Sequence, residues 1–378
     1  MRFYILILLL LPLGVFSQGE KDSLFDLDLG ELKTISIKSG SSGGFGKQLE
    51  DLGIKPYVHG YMAAFYRTND LNNRRNNKTF NMHYFNPIFG ANIGNKVVAE
   101  MMAEYEHGGS SIELRYALVD WSPSKYLTLR IGKFLMPMGR FNEYLYPEYI
   151  NKLANRPINL HHIVPVAWAE AGVQVRGRAD IDSAKGIGIN YAVYCVNGLQ
   201  GAAGTDIRGM RNNNRDFSND EKSFGGRLGI MPYKNIEIGA SYYTGKYTPD
   251  GKLNIAIMAL GAGYSTEKIH IYGEFTQAQQ DTNNGKITKT GFFAEAGYKI
   301  TKNFEPVVRY DEAEVPKVAG YGGKLNTEKI QRFTAGLIYY PQAKLLSRFN
   351  FKFNYCYILN DGSGAKGEEI IFQVALGF

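Results

Sequence analysis

The stretch EEIIFQVALGF, residues 368–378, places Ile370, Phe372, Val374, Leu376 and Phe378 on one face of an extended chain and Glu369, Gln373 and Gly377 on the other. Soluble domains usually end in polar, loosely held residues, whereas here the apolar alternation runs to the last residue. The same two-residue period recurs upstream. In VVAEMMAEYE, Val97, Ala99, Met101, Ala103 and Tyr105 oppose Glu100, Glu104 and Glu106. In SIELRYAL, Ile112, Leu114, Tyr116 and Leu118 oppose Glu113 and Arg115. Leu127, Leu129 and Ile131 oppose Thr128 and Arg130, and Val173 and Val175 oppose Gln174, Arg176 and Arg178. In RFNFKFNYCYIL, Phe349, Phe351, Phe353, Tyr355 and Tyr357 oppose Asn350, Lys352, Asn354 and Cys356.

Sixteen such runs can be read, near 54–67, 79–92, 95–107, 110–121, 125–135, 167–179, 186–197, 222–232, 234–246, 253–265, 267–279, 287–300, 303–314, 328–340, 347–360 and 368–378. Short turn signals such as MPYKN and YSTEK alternate with long polar stretches such as VNGLQGAAGTDIRGMRNNNRDFSNDEK. The pattern predicts an all-β fold, a transmembrane antiparallel up-and-down β-barrel of sixteen strands over residues 54–378. Gly-rich composition, with 43 Gly and 26 Tyr against 2 Trp, suits short strands and turns.

A secreted sandwich or soluble barrel would show the same alternation with the faces exchanged. Three features favour the membrane. Tyr and Phe sit near strand ends, as aromatic girdles do. The polar faces carry too many full charges for a dry core. The terminal strand also resembles the C-terminal signature by which the outer-membrane assembly machinery recognises barrels, so Phe378 is the expected assembly signal.

The opening MRFYILILLLLPLGVFSQ puts Arg2 before an apolar run and small Ser17 after it, the layout of a signal peptide over residues 1–17. Residues 18–53 then read as a periplasmic extension ending in a Gly/Ser linker, and LFDLDLGELKTISI within them resembles short segments ahead of some outer-membrane barrels and TonB-dependent receptors. The expected location is the outer membrane of a Gram-negative cell, in contact with its lipid. The mildly basic net charge of +7 hints at anionic partners. Cys195 and Cys356 lack metal-ligand spacing and fall on opposite strand faces, so both are expected to be free.

Residues 127–177, from LTLRIGKF through MPMGRF and NRPIN to AGVQVRG, resemble the phosphate-selective porin (O and P type) family and its Bacteroidetes relatives. The matching positions are Gly132, Phe134, Pro137, Gly139, Arg156, Pro157, Gly172, Val173 and Gln174. The resemblance implies a sixteen-stranded barrel, often a homotrimer, with a loop folded into the lumen. Independently, residues 136–165 are longer than a structureless connection usually is. Arg140, Arg156, His161 and His162 are its constriction candidates; an outer cap or a subunit contact is the alternative.

If the polar faces point inward, Arg115, Arg130, Arg176, Arg178, Arg227, Arg309, Arg332 and Lys352 line the lumen. Guanidinium forks can replace an anion's hydration shell. The same parity brings in Glu100, Glu104, Glu106, Glu113, Glu170, Glu237, Glu274, Glu295, Glu305 and Asp311, a mixed lining that suits a general pore equally well. The expected function is passive diffusion of small anionic or neutral hydrophilic solutes, with a non-conducting structural or adhesion barrel as the alternative. No lipase, metalloprotease, Walker or G-x-S-x-G pattern is present, and adjacent His161 and His162 diverge on an extended chain, so neither catalysis, a cofactor, a metal nor nucleic acid is expected.

Overall fold

The computed structural model describes residues 35–36, 49, 51–71, 77–109, 111–201, 206–211, 221–317, 326–341, 348–361 and 366–378. The expected leader at residues 1–17 and most of the expected extension at 18–53 lie outside the described residues. A two-residue strand, β1 (Ile35–Ser36), precedes sixteen long ones. The first eight are β2 (Ile54–Leu71), β3 (Asn77–Ile93), β4 (Val97–Glu106), β5 (Ser111–Ser124), β6 (Leu127–Leu135), β7 (Ala169–Asp182), β8 (Ile187–Val196) and β9 (Ser223–Tyr233). The second eight are β10 (Ile236–Lys246), β11 (Asn254–Ser265), β12 (Ile269–Thr282), β13 (Gly285–Tyr298), β14 (Phe304–Lys317), β15 (Asn326–Tyr339), β16 (Phe349–Asp361) and β17 (Gly367–Gly377). All sixteen expected runs are strands.

Each strand pairs antiparallel with its sequence neighbour, and β17 returns to β2 from Gly367↔Leu71 to Gly377↔Tyr61. Phe378 and Gly60 then exchange both backbone hydrogen bonds at 2.8 Å, and the Phe378 ring stacks on Phe85 outside the wall. β2 extends past that point toward Ile54, and β1 pairs there, Ile35 with Val58 and Ser36 with Tyr57. Closure leaves no bare sheet edge to face hydrocarbon.

The alternation that the sequence predicts sorts the faces. Phe372 is 50% exposed and its neighbour Gln373 1%. Apolar side chains therefore cover the outside, and Trp121, Tyr126, Tyr233, Tyr264, Tyr298 and Tyr339 cluster at the end where the barrel chain starts and finishes. The tight turns at that end include residues 94–96, 125–126 and 234–235; the long connections 136–168 and 197–222 leave the opposite, loop end.

One parity assignment needs correction. A bulge sets Met102 opposite Tyr116 but Ala103 opposite Leu114, so Arg115 and Tyr116 both turn inward. Tyr116 donates to Glu100 at 2.7 Å, and beyond the bulge Leu118 faces the interior while Val119 and Trp121 face out. Cys356 is buried inside and Cys195 lies on the outer parity of β8; neither is bridged.

The core is inside the barrel, between the wall and residues 136–168. Met136, Met138, Leu153, Leu160, Ile163, Val164, Val166 and Trp168 are fully buried there. Gly336 of β15 makes room for this segment: a Cβ added to it would collide with Leu153. Replacing Gly336 with Leu is expected to destabilise the barrel by about 1–3 kcal/mol through overpacking. Ala335→Leu, one position away on the outer face, is expected to leave the midpoint of urea unfolding in detergent nearly unchanged; equal shifts for both would show that Leu153 does not pack there.

Candidate functional site

The segment that fills the lumen begins where Pro137 cannot extend β6. Gly139 follows with φ of +65°, and a Cβ there would strike the Glu274 carboxylate. The turn lets the Gly139 and Arg140 amides donate to Ser241 Oγ (3.0 Å) and Glu274 Oε2 (3.2 Å). A π-helical turn, Phe141–Leu145, and one α-helical turn, Asn159–His162, lie further along. Asn142, fully buried, fastens the neck: its amide donates to the Met136 (2.7 Å) and Trp168 (3.0 Å) carbonyls and accepts from the Trp168 amide (2.8 Å).

Three charge clusters tie this segment to the wall. In the first, Arg130 pairs bidentately with Asp120 at 2.7 and 2.8 Å, and Arg176 reaches Glu143 at 2.5 Å. Arg140 and Arg227 share Glu237, and both guanidinium groups lie over the Tyr144 ring, at 5.5 and 5.7 Å. Arg176 also donates to the Tyr144 hydroxyl at 2.8 Å. Four cations thus face four carboxylates, Asp120, Glu143, Glu237 and Glu274.

The second cluster grips the backbone. Arg309 donates to Asn155 O (3.0 Å), Asn155 Oδ1 (2.7 Å) and Asp311 (3.0 Å). Arg332 bridges Asp311 (2.8 Å) and the Arg156 carbonyl (2.5 Å), while the Ile158 amide donates to Asp311 at 3.0 Å. Lys352 donates to the Glu148 and Asn151 carbonyls, and Lys152 pairs with Glu305 at 3.1 Å. Buried charges keep their stability only with such partners.

The third cluster lies toward the loop end. Arg115 pairs with Glu104 and donates to Ala167 O (2.9 Å); Arg156 donates to Tyr84 (2.6 Å) and Val166 O (3.3 Å). Arg208 and Arg211, from the 197–222 connection, donate to Val166 O (2.8 Å), Pro165 O (3.1 Å) and Ala167 O (3.2 Å). Burial, then the positive charges of Arg208, Arg115 and Arg156, hold Arg211 below its ordinary range, at about 9.

Of the eight wall cations read from sequence, Arg115, Arg176, Arg227, Arg309, Arg332 and Lys352 touch the inserted segment directly. Arg130 reaches Glu143 at 3.9 Å, and Arg178 sits at the turn-end mouth, 48% exposed, beside Asp180 at 3.0 Å. Of the loop candidates, Arg140 and Arg156 enter the clusters. His161 is exposed and His162 half-buried on the helical turn, their rings 4.8 Å apart; the backbone is helical there, not extended, so the two side chains meet rather than diverge. Among the described residues no group of three or more His, Cys, Asp or Glu is placed to hold a metal. Sequence reasoning missed Arg208, Arg211, Asn142, Glu143 and Tyr144. The last three fall within the fifty residues that carry the family resemblance, which was the available signal; Arg208 and Arg211 had none beyond their charge.

The packing leaves small cavities. One of about 30 Å³ lies between the inserted segment and β11–β13, beside Arg140, Lys152, His270 and Glu295. It has room for roughly two ordered waters.

Residues 33–342 match the family described as Gram-negative porin. An uncharacterized protein of Aquifex aeolicus is 25% identical over 297 residues, covering 68% of this chain and 66% of that protein's length. Among solved structures, an anion-selective porin from Comamonas acidovorans superposes with a TM-score of 0.62 at 11% identity, over 86% of this chain and all of that one. Salmonella typhi OmpF, in a complex with daunomycin, gives 0.60 at 13% identity over 87% and 99%. Vibrio cholerae OmpT in its trimer form gives 0.57 at 11% over 85% and 99%. With the family matching more than three quarters of its length and a closed sixteen-stranded barrel beneath it, the chain belongs to the Gram-negative porins of the outer membrane.

Proposed function

We propose that this porin passes small hydrophilic solutes by passive diffusion, prefers anions weakly, and is constricted by residues 136–168. The observation that carries the reading is the first cluster, where four guanidinium groups, from Arg130, Arg140, Arg176 and Arg227, are gathered on one stretch of the lumen among the carboxylates of Asp120, Glu143, Glu237 and Glu274. Guanidinium donors held on a rigid wall can exchange water for a passing anion while binding it weakly enough to release it. The likeness to an anion-selective porin accords with this preference. Phosphate as the solute, assembly as a homotrimer, export by a leader at residues 1–17 and recognition of Phe378 by the assembly machinery belong to the same reading. No catalytic step is assigned to the lumen.

A second reading rests on a specific observation: the inserted segment buries a large apolar cluster inside the barrel, from Met136 to Trp168, and a smaller one in which Leu153 packs on Val307 and Ile338. A barrel so filled also suits a structural or adhesive protein that does not conduct. Single-channel recording of the refolded protein in a planar bilayer decides between them. Steady steps with a reversal potential displaced toward the anion equilibrium potential are expected; a folded, heat-modifiable barrel without steps would establish the second reading, and a cation-directed potential would refute the preference.

If residues 136–168 set the constriction, loosening them widens it. Arg309→Ala removes both bonds to Asn155 and is expected to cost about 3 kcal/mol, the low end for breaking a buried pair because Arg332 still reaches Asp311. The variant should show larger, noisier unit conductance than wild type. Unchanged conductance in a variant that is measurably destabilised would mean that this part of the segment does not border the path.

A further inference from the structure

The third cluster has an unusual acceptor set. Four guanidinium groups, from Arg115, Arg156, Arg208 and Arg211, converge on three consecutive neutral carbonyls, Pro165, Val166 and Ala167. Arg115 also holds Glu104 and Glu113, and Arg156 also holds Tyr84 and stands 3.9 Å from Glu148, so these two are fixed to the barrel side. Arg208 and Arg211 differ. Their side chains hydrogen-bond carbonyl oxygens alone among the described residues, the fourth such bond being the link from Arg211 Nε to Arg208 O at 3.3 Å. Of the acids nearby, Asp206 is engaged by the Arg208 backbone amide at 3.0 Å, while Glu106 acts on Arg208 and Glu113 and Glu170 on Arg211 through space, without a hydrogen bond to either guanidinium.

We propose that Arg208 and Arg211, with Arg156 behind them, form a binding site for a multivalent oxyanion of the phosphate class, and that its occupation releases residues 165–167 so that the solute opens its own constriction. This rests on the porin reading above. A guanidinium meets an oxyanion with both partners charged and in a bidentate fork, whereas its bond to a backbone carbonyl has one charged partner and a single contact. A phosphate at the loop-end mouth therefore competes for the same donors and also relieves the mutual repulsion that crowds them. When Arg208 and Arg211 turn to it, Val166 and Pro165 lose bonds that join the 197–222 connection to the inserted segment. The coupling is reciprocal: whatever favours the released segment also strengthens anion binding. Chloride, monovalent and spherical, offers no fork to match and does not trigger release.

Trp168 reports on the change, since it is fully buried one residue beyond Ala167 and packs on Tyr243 at 4.8 Å. Trp121 faces the outside of the wall, so Trp121→Phe leaves Trp168 as the single indole. In that background, inorganic phosphate added to the detergent-solubilised barrel at constant ionic strength is expected to shift and quench the emission saturably, while chloride does not. Arg208→Gln with Arg211→Gln should weaken the apparent phosphate affinity at least roughly tenfold and raise the conductance measured without phosphate, because the latch is already absent. No response in the parent, or an undiminished response in the double variant, overturns the proposal. A response to a lipid phosphomonoester in mixed micelles but not to free phosphate also overturns it, by making the occupant a headgroup rather than a solute. A saturable fluorescence response in a barrel that never conducts would uphold the site and refute the porin reading; conduction without that response would do the reverse.

Discussion

Every feature of this protein depends on the pairing of β17 with β2. Within hydrocarbon an unpaired amide or carbonyl has no water to turn to, so a sheet can span the membrane only if its last strand returns to its first. Closing the ring fixes the side on which each residue lies, because the two-residue period of a strand admits no compromise between faces. From Gly377 opposite Tyr61, the whole sorting of apolar exterior and polar interior follows. The exchange between Phe378 and Gly60 completes the pairing at the turn end, and β1 covers the short stretch of β2 that β17 does not reach.

The interior then poses its own problem. A wall bearing Arg309, Asp311, Glu295, Glu305, Lys352 and Glu237 is stable against water, yet here most of it is sealed beneath the inserted segment. The segment resolves this by presenting two kinds of surface. Its backbone carbonyls at 148, 151, 155, 156 and 165–167 accept from wall and loop cations, and its own Glu143 and Lys152 complete ion pairs. Between these contacts, Leu160, Ile163 and Val164 join an apolar cluster that includes tyrosines of the wall, and Leu153 packs separately on Val307, Ile338 and Gly336. The charges act first as fasteners, and in the proposed function the same groups also meet the solute.

That dual use explains why the charges of the two signs interleave. A purely basic lining would leave the segment's carbonyls crowded with cations and the wall self-repelling, as happens locally where Arg115, Arg156, Arg208 and Arg211 converge. Elsewhere wall arginines have carboxylates within reach, as Arg130 has Asp120 and Arg332 has Asp311. At that convergence the inserted segment is held by the 197–222 connection as well as by the barrel.

Alternation along single strands determined the sixteen strands and which arginines share a face, because strand parity is a local property written every second residue; that the polar face points inward rested on the aromatic residues near strand ends, the number of full charges and the apolar terminal strand. Parity failed only at Tyr116 and Leu118, where a bulge adds one residue to β5 and no residue type announces it. The resemblance over residues 127–177 located the inserted segment but not its partners. Which carbonyl Arg309 grips, how Asn142 joins Met136 to Trp168, and that Arg208 reaches Val166 from another connection were decided by the tertiary structure alone. Those contacts join residues tens to hundreds of positions apart, across a lumen whose shape exists only once the ring has closed, and no local period in the chain can encode them.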